Sequence, residues 1–273
     1  MDRVTWIDPT GLRNPVAVVA FDGWGDAGSA ATIVVEHLLD RFASRRLAVI
    51  DADEFFDFQV ERPVVELDER GASRVEWADT EIYAIAVPGL DRDVVLIVGE
   101  EPHTRWKLFS RTLADVLTFL GVTEVVTLGA FASQVPHTLP VPVVGTSTLP
   151  DILLRADVGV SDYQGPIGLV GILNHVLVER GMDVVSLWAA VPHYLSNQDY
   201  PPGGLVLLVK VGAVLGVDLD VSDLDEIAAE FRREVDEAVD DSELRNYVED
   251  LETRSGDPAD RLMNEIERFL RDR

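Results

Sequence analysis

Apolar strands alternating with amphipathic helices up to residue 215, then an acidic all-helical remainder, predict an α/β fold with a C-terminal helical appendage. Three observations carry this expectation. Residues Val16 to Phe21 form an unbroken apolar run, as expected for a strand covered on both faces in a parallel sheet. Helical repeats over 106–120 and 167–180 each stop at a glycine, Gly121 and Gly181, suited to a helix C-terminus. Two further apolar runs, Ile82 to Val87 and Val94 to Val98, are separated only by Pro88-Gly89-Leu90-Asp91. That spacing suits a hairpin, so the sheet is expected to be mixed and mostly parallel, flanked by helices.

In chain order, the strand at 16–21 leads into a helix over 28–42 whose stripe is Ala30, Val34, Leu38 and Phe42. Leu47 to Ile50 is the next strand. Pro63 to Leu67 and Arg74 to Trp77 alternate enough to suggest two short edge strands around a turn at Gly71. After the hairpin and the 106–120 helix come strands at Val125 to Leu128 and Pro142 to Gly145. The helix at 167–180 and a strand at Val184 to Val191 follow, and Gly203 to Leu215 opens the helical remainder.

Two domains are expected, an α/β unit over 1–217 and an appendage over 218–273. The appendage holds 20 acidic and 8 basic residues. Three stripes keep helical spacing there: Leu224 to Val239, Leu244 to Leu251, and Leu262 to Leu270 beyond the break at Ser255-Gly256-Asp257-Pro258. They either pack back on the sheet or face another subunit, and a homo-oligomer, with a trimer as the working number, is expected.

Composition narrows the function. A formal charge of −26 repels phosphate backbones and anionic lipid, so neither nucleic acid nor membrane is an expected partner. No 18-residue apolar window and no signal-peptide core follow Met1, which places the chain in the cytoplasm. With no cysteine, thiol nucleophiles, disulfides and thiolate-bound metals are excluded.

Gly23, Gly25 and Gly28 sit at the G-x-G-x-x-G spacing of a dinucleotide fingerprint, between strand and helix, with Asp51 further on. Such a loop binds pyrophosphate through bare N–H groups and the helix dipole. Here Asp22 and Asp26 stand inside it, and Asp26 is placed to cap those N–H groups itself. A carboxylate about 4 Å from a phosphate charge costs roughly 1 kcal/mol in water and about 4 at an effective dielectric of 20. The glycines therefore read as a tight turn with close packing, and no cofactor is expected.

Ligand crevices in open α/β sheets lie beyond the carboxyl ends of the strands. The side chains collected there are Asp22, Gly23, Trp24 and Asp26, then Glu100, His103 and Arg105, then His137, Tyr163 and His193. These are the candidate crevice residues. The alternative is that Pro102-His103, Pro136-His137 and Pro192-His193 are rigid turns. No catalytic residue is assigned. Ser133 lacks the flanking glycines of a nucleophile elbow, no H-E-x-x-H or Walker A sequence occurs, and no metal site is expected.

Asp22-Gly23-Trp24-Gly25-Asp26-Ala27-Gly28 resembles the opening "GW-DAG" segment of the PAC2 (proteasome assembly chaperone 2) family. Residues 99–106, 134–138, 163–168 and 186–194 are similar to further segments of its actinobacterial branch, in order along nearly the whole chain. The resemblance implies a three-layer α/β fold related to the nucleoside phosphorylase/hydrolase architecture, with the matched segments at one end of the sheet. It implies a proteasome-assembly-chaperone-like binding protein, with proteasome subunits as the partner class and no settled role in bacteria. Eukaryotic members dock through a C-terminal hydrophobic-Tyr-X tail, whereas Phe269-Leu270-Arg271-Asp272-Arg273 has no penultimate tyrosine, so the resemblance by itself does not imply docking by that mode. The alternative is an enzyme or small-ligand binder of the phosphorylase/hydrolase type. Asp22 or Asp26 would then act as acid or acceptor, with Glu100, His103 and His137 as partners.

Overall fold

The computed structural model describes residues 3–67, 71–240 and 244–255. The chain opens with β1 (Val4–Trp6), then β2 (Val16–Asp22), α1 (Ala30–Arg41) and β3 (Ser44–Ile50). A small ribbon, β4 (Val64–Leu67) and β5 (Ser73–Glu76), precedes the hairpin β6 (Thr80–Ala86) and β7 (Asp93–Glu100). There follow α2 (Trp106–Phe119), β8 (Glu124–Ser133), β9 (Val143–Ser147), α3 (Pro150–Arg155), β10 (Gly159–Val160), α4 (Leu169–Glu179) and β11 (Asp183–Pro192). Three helices close the described chain: α5 (Pro201–Leu215), α6 (Ser222–Asp240) and α7 (Arg245–Ser255).

One nine-stranded sheet runs in the order β1-β3-β6-β7-β2-β8-β11-β9-β10. Its centre, β7-β2-β8-β11, is parallel, and antiparallel strands flank it on both sides. The sheet is therefore mixed and does not close into a barrel. β2 sits at the middle because every residue but its last is buried, which requires a strand on each edge and a helix layer on each face. Val16, Val18 and Ala20 face the layer of α1, α3, α5 and α6, and Ala17, Val19 and Phe21 face α2 and α4.

Two differences from the sequence reading have physical causes. The segments at 64–67 and 73–76 do not join the edge of the sheet; they pair only with each other, as a separate ribbon. β1, α3 and β10 carry no signal in the sequence because three, six and two residues are too few to establish a period.

The appendage lies back on the α1/α5 layer. Leu224, Val235, Val239 and Val248 belong to the same core cluster as α1 and α5, and the Phe231 ring meets Tyr200 edge-on at 5.7 Å. The third stripe, Leu262 to Leu270, falls outside the described residues. Among the described residues no helix is long and apolar enough to cross a membrane.

Candidate functional site

The turn after β2 is built as a self-contained plug. The Asp26 carboxylate accepts from the Ala31 and Thr32 amides at 2.6 and 3.0 Å and from the Thr32 hydroxyl at 2.8 Å. It thus occupies the amide groups at the start of α1 that an external anion would use. The residue in the formal N-cap position is Ser29, which makes no side-chain cap, so Asp26 reaches across a short 3-10 turn at Ala27–Ser29. Gly28 permits this reach. Its φ is +65°, and a Cβ there would stand 2.7 Å from Tyr200 Cβ. Its amide and carbonyl bond Ser196 and Tyr200, locking the turn to the loop before α5.

Beside this plug, β2 and β7 end together, and Asp22 is the register partner of Glu100. Both lie on the α1 face of the sheet, since alternation continues from Ala20 and Val98. They line a cleft of about 460 Å³ between α1 and the start of β6. Glu36, Asp79, Glu81 and Asp199 line it too, with Thr32 and Trp77, and no lining residue is basic. Glu81 is ion-paired to Arg46, and Asp79 accepts from the Ala52 amide at 2.8 Å.

Burial dominates the electrostatics. It pushes the Glu100 carboxyl up to about 7, with Asp22, Glu61 and Asp26 adding like charge. It pushes Asp26 up to about 6 against its three hydrogen bonds, which pull the other way. Glu36 is raised by burial and then by Asp199, and Asp79 by burial. Near neutral pH the cleft therefore holds exchangeable protons as well as negative charge. Among the described residues no cluster of His, Asp and Glu is arranged to ligate a metal ion.

The remaining candidate residues lie elsewhere. Gly23 packs against Glu101, and Trp24 is 71% exposed and leans on the start of α4 at Gly168. His103 accepts from the Asp57 amide on Nδ1 at 3.0 Å, and Arg105 ion-pairs with Glu54, so both fasten the 52–58 segment. Tyr163 donates to the Pro166 carbonyl at 2.9 Å within its own exposed loop.

His137 and His193 belong to the mooring of the appendage. His137 is buried between the Tyr194 hydroxyl (2.7 Å from Nδ1) and the Asp236 carboxylate of α6 (3.1 Å from Nε2). The Nε2–H tautomer satisfies both, with Tyr194 donating and Asp236 accepting. His193 stacks edge-on against Tyr194 and Tyr247, and Thr138 bonds Glu252 of α7. Asp22 and Glu100 are thus brought together, Asp26 lies beneath them, and the histidines are not in the cleft.

Glu101 also follows the 94–98 strand but is not among the candidate crevice residues; its carboxylate accepts from the Leu169 amide at 2.7 Å and caps α4. It serves the other side of the sheet from Glu100, because adjacent residues along a strand point to opposite faces. Glu36 carried a signal, lying four residues after Thr32 on one side of α1.

A family model described as "PAC2 family" matches residues 20–239. Among solved structures, a PAC2 family protein from Streptomyces avermitilis is 41% identical, with a TM-score of 0.79 over 86% of this chain and 99% of that one. A proteasome-assembly chaperone homologue from Mycobacterium tuberculosis is 39% identical, with a TM-score of 0.77 over 85% of this chain and 99% of that one. The archaeal proteasome activator PbaB of Pyrococcus furiosus shares the fold, with a TM-score of 0.69 over 87% of this chain and 99% of that one, at 19% identity. None of the curated proteins matches the chain. Its architecture and the family match over residues 20–239 agree: the chain belongs to the PAC2 family.

Proposed function

We propose that this protein is a cytoplasmic, homo-oligomeric binding protein that acts on proteasome subunits in the manner of an assembly chaperone. The observation that carries this reading is its 39% identity, over 85% of its length, to a proteasome-assembly chaperone homologue. The site supports it. Three of the side chains that the enzyme alternative would use are engaged in holding the fold: Asp26 caps α1, His103 orders residues 52–58 and His137 moors α6. The test is co-purification with tagged proteasome α-subunits from the same cell. Retention on the α-subunit bait, absent with a β-subunit bait, supports the proposal, and no retention on either overturns it.

A second reading is favoured by the register pair Asp22–Glu100 and the cleft they line. There the protein holds a small cationic or polyhydroxyl ligand between carboxylates. A thermal-shift screen with nucleosides, sugars, amino acids and polyamines tests it. A ligand that raises the melting temperature of the native protein, and not of Asp22→Asn, supports it; no shift with any of them sinks it.

A further inference from the structure

A tryptophan and a carboxylate meet outside the cleft, at the start of α4. A Cβ added to the buried Gly168 would stand 3.0 Å from Glu101 Oε1 and 3.2 Å from Trp24 Cε3, so the two side chains flank one point. Gly23, at φ +129°, packs on Glu101 as the chain leaves β2, and the next residue, Trp24, is left 71% exposed. The apolar face continues along the loop into α4. Ile167 is 44% exposed and Tyr163 64%, the latter pinned by its bond to the Pro166 carbonyl. Large aromatic groups held open in fixed positions are typical anchors of protein interfaces. Side chains this exposed do not enclose a small molecule, which needs a concave site.

Charge on this same face selects the occupant. The start of α4 would attract an anion through the Leu169 amide, but Glu101 already bonds that amide at 2.7 Å. Its full negative charge outweighs the roughly half charge of a helix N-terminus. Asp162, exposed beside Tyr163, adds a second carboxylate. Arg105, four positions after Glu101, is paired with Glu54 and supplies no cation here. A guanidinium satisfies the ring and the carboxylate together, stacking on the indole while donating to Glu101. The same face of a second copy would instead set Glu101 and Asp162 against like charges.

We propose that the Trp24–Glu101 face, extended by Ile167 and Tyr163, docks an exposed arginine and its apolar neighbours on a partner protein. The proposal rests on the reading of this chain as a binder of proteasome subunits, and it names the surface and the residue type that such binding uses.

The test titrates the full chain onto a tagged proteasome α-subunit. Trp24→Ala, at an exposed position, is expected to weaken retention about tenfold or more with unchanged circular dichroism. Glu101→Gln keeps an oxygen for the Leu169 amide and removes only the charge. It is expected to weaken retention severalfold and to flatten its dependence on salt. Phe119→Ala, an exposed aromatic at the far end of α2, is expected to bind as wild type does. Bait treated with phenylglyoxal, which blocks guanidinium groups, is expected to release the wild type, and lysine-acetylated bait to keep it. Wild type and Trp24→Ala retained equally would overturn the docking face and leave the chaperone reading standing. Equal retention of Glu101→Gln, or binding that survives phenylglyoxal, overturns the arginine. A Trp24→Ala variant of reduced oligomeric mass in sedimentation gives the face to a second copy and also overturns the proposal. A wild type retained on neither α- nor β-subunit bait overturns both this proposal and the reading beneath it.

Discussion

Asp22 and Glu100 are paired across two parallel strands that stop at the same level, so two carboxylates share one end of the sheet with no basic residue lining the cleft. Parallel strands lie about 4.8 Å apart, close enough for each charge to act on the other. The cleft is thus a place where protonation and folding are coupled.

That coupling has a definite sign. The folded-state values of Glu100 (about 7) and Asp26 (about 6) lie above the ordinary 4.5 and 3.8. Between these limits the folded protein binds more protons than the unfolded chain, so stability is fully present at low pH and is lost as pH rises through 6 to 7. The melting temperature should fall between about pH 5 and pH 8, and Glu100→Gln should flatten the upper part of that slope. After allowance for solvent at the cleft mouth, the Glu100 contribution is about 1–2 kcal/mol. A melting temperature that climbs over this range would contradict the assignment.

Asp26→Ala removes three hydrogen bonds at once and leaves the Ala31 and Thr32 amides without their carboxylate. Loss of a cap plus buried unpaired donors should cost about 2–3 kcal/mol. Asp26→Asn keeps one acceptor oxygen and should lose about half as much. Urea unfolding monitored by circular dichroism gives both numbers, and a neutral Asp26→Ala would remove the plug from the account of this turn.

Gly28→Ala places a methyl group 2.7 Å from Tyr200 Cβ on a backbone at φ +65°. Left-handed strain and overpacking together should cost about 2–4 kcal/mol. The midpoint of chemical denaturation reads this directly, and a shift near zero would mean the turn relaxes away from α5.

His137→Ala cuts the link between the core and α6, leaving Tyr194 without its ring partner and Asp236 without its donor. The expected loss is about 2 kcal/mol, concentrated in the appendage. Limited proteolysis should cleave within α6 and α7 sooner than in wild type while residues 16–215 resist. Uniform loss of protection over the whole chain would show that His137 acts on the core instead.

The fold was largely legible because its signals are local. β2 announces itself by an unbroken apolar run, and the hairpin β6–β7 by four turn residues. The α2 and α4 helices end where a glycine takes positive φ, at Gly121 and Gly181. The membership of the site was legible only in part. Asp22, Glu100, His137 and His193 each follow a strand, but the linear sequence does not say which strands adjoin. β11 stands two places from β2 in the sheet, so His193 begins roughly 10 Å away from the Asp22 strand. Its ring is then held by its neighbour Tyr194 and by Tyr247, the latter more than fifty residues further along the chain. The carboxylates of Glu36, Asp79 and Asp199 join the cleft in the same non-local way.

The position of β2 also sets a schedule for synthesis. Its two neighbours come from residues 93–100 and 124–133, long after its own residues have been made. This strand, buried at every residue but its last, thus leaves the ribosome with both edges bare, and its second edge waits for β8. Such long-range pairing is slow and exposes hydrophobic backbone in the interval. The central strand is therefore completed on both edges only after more than a hundred later residues have followed residue 22.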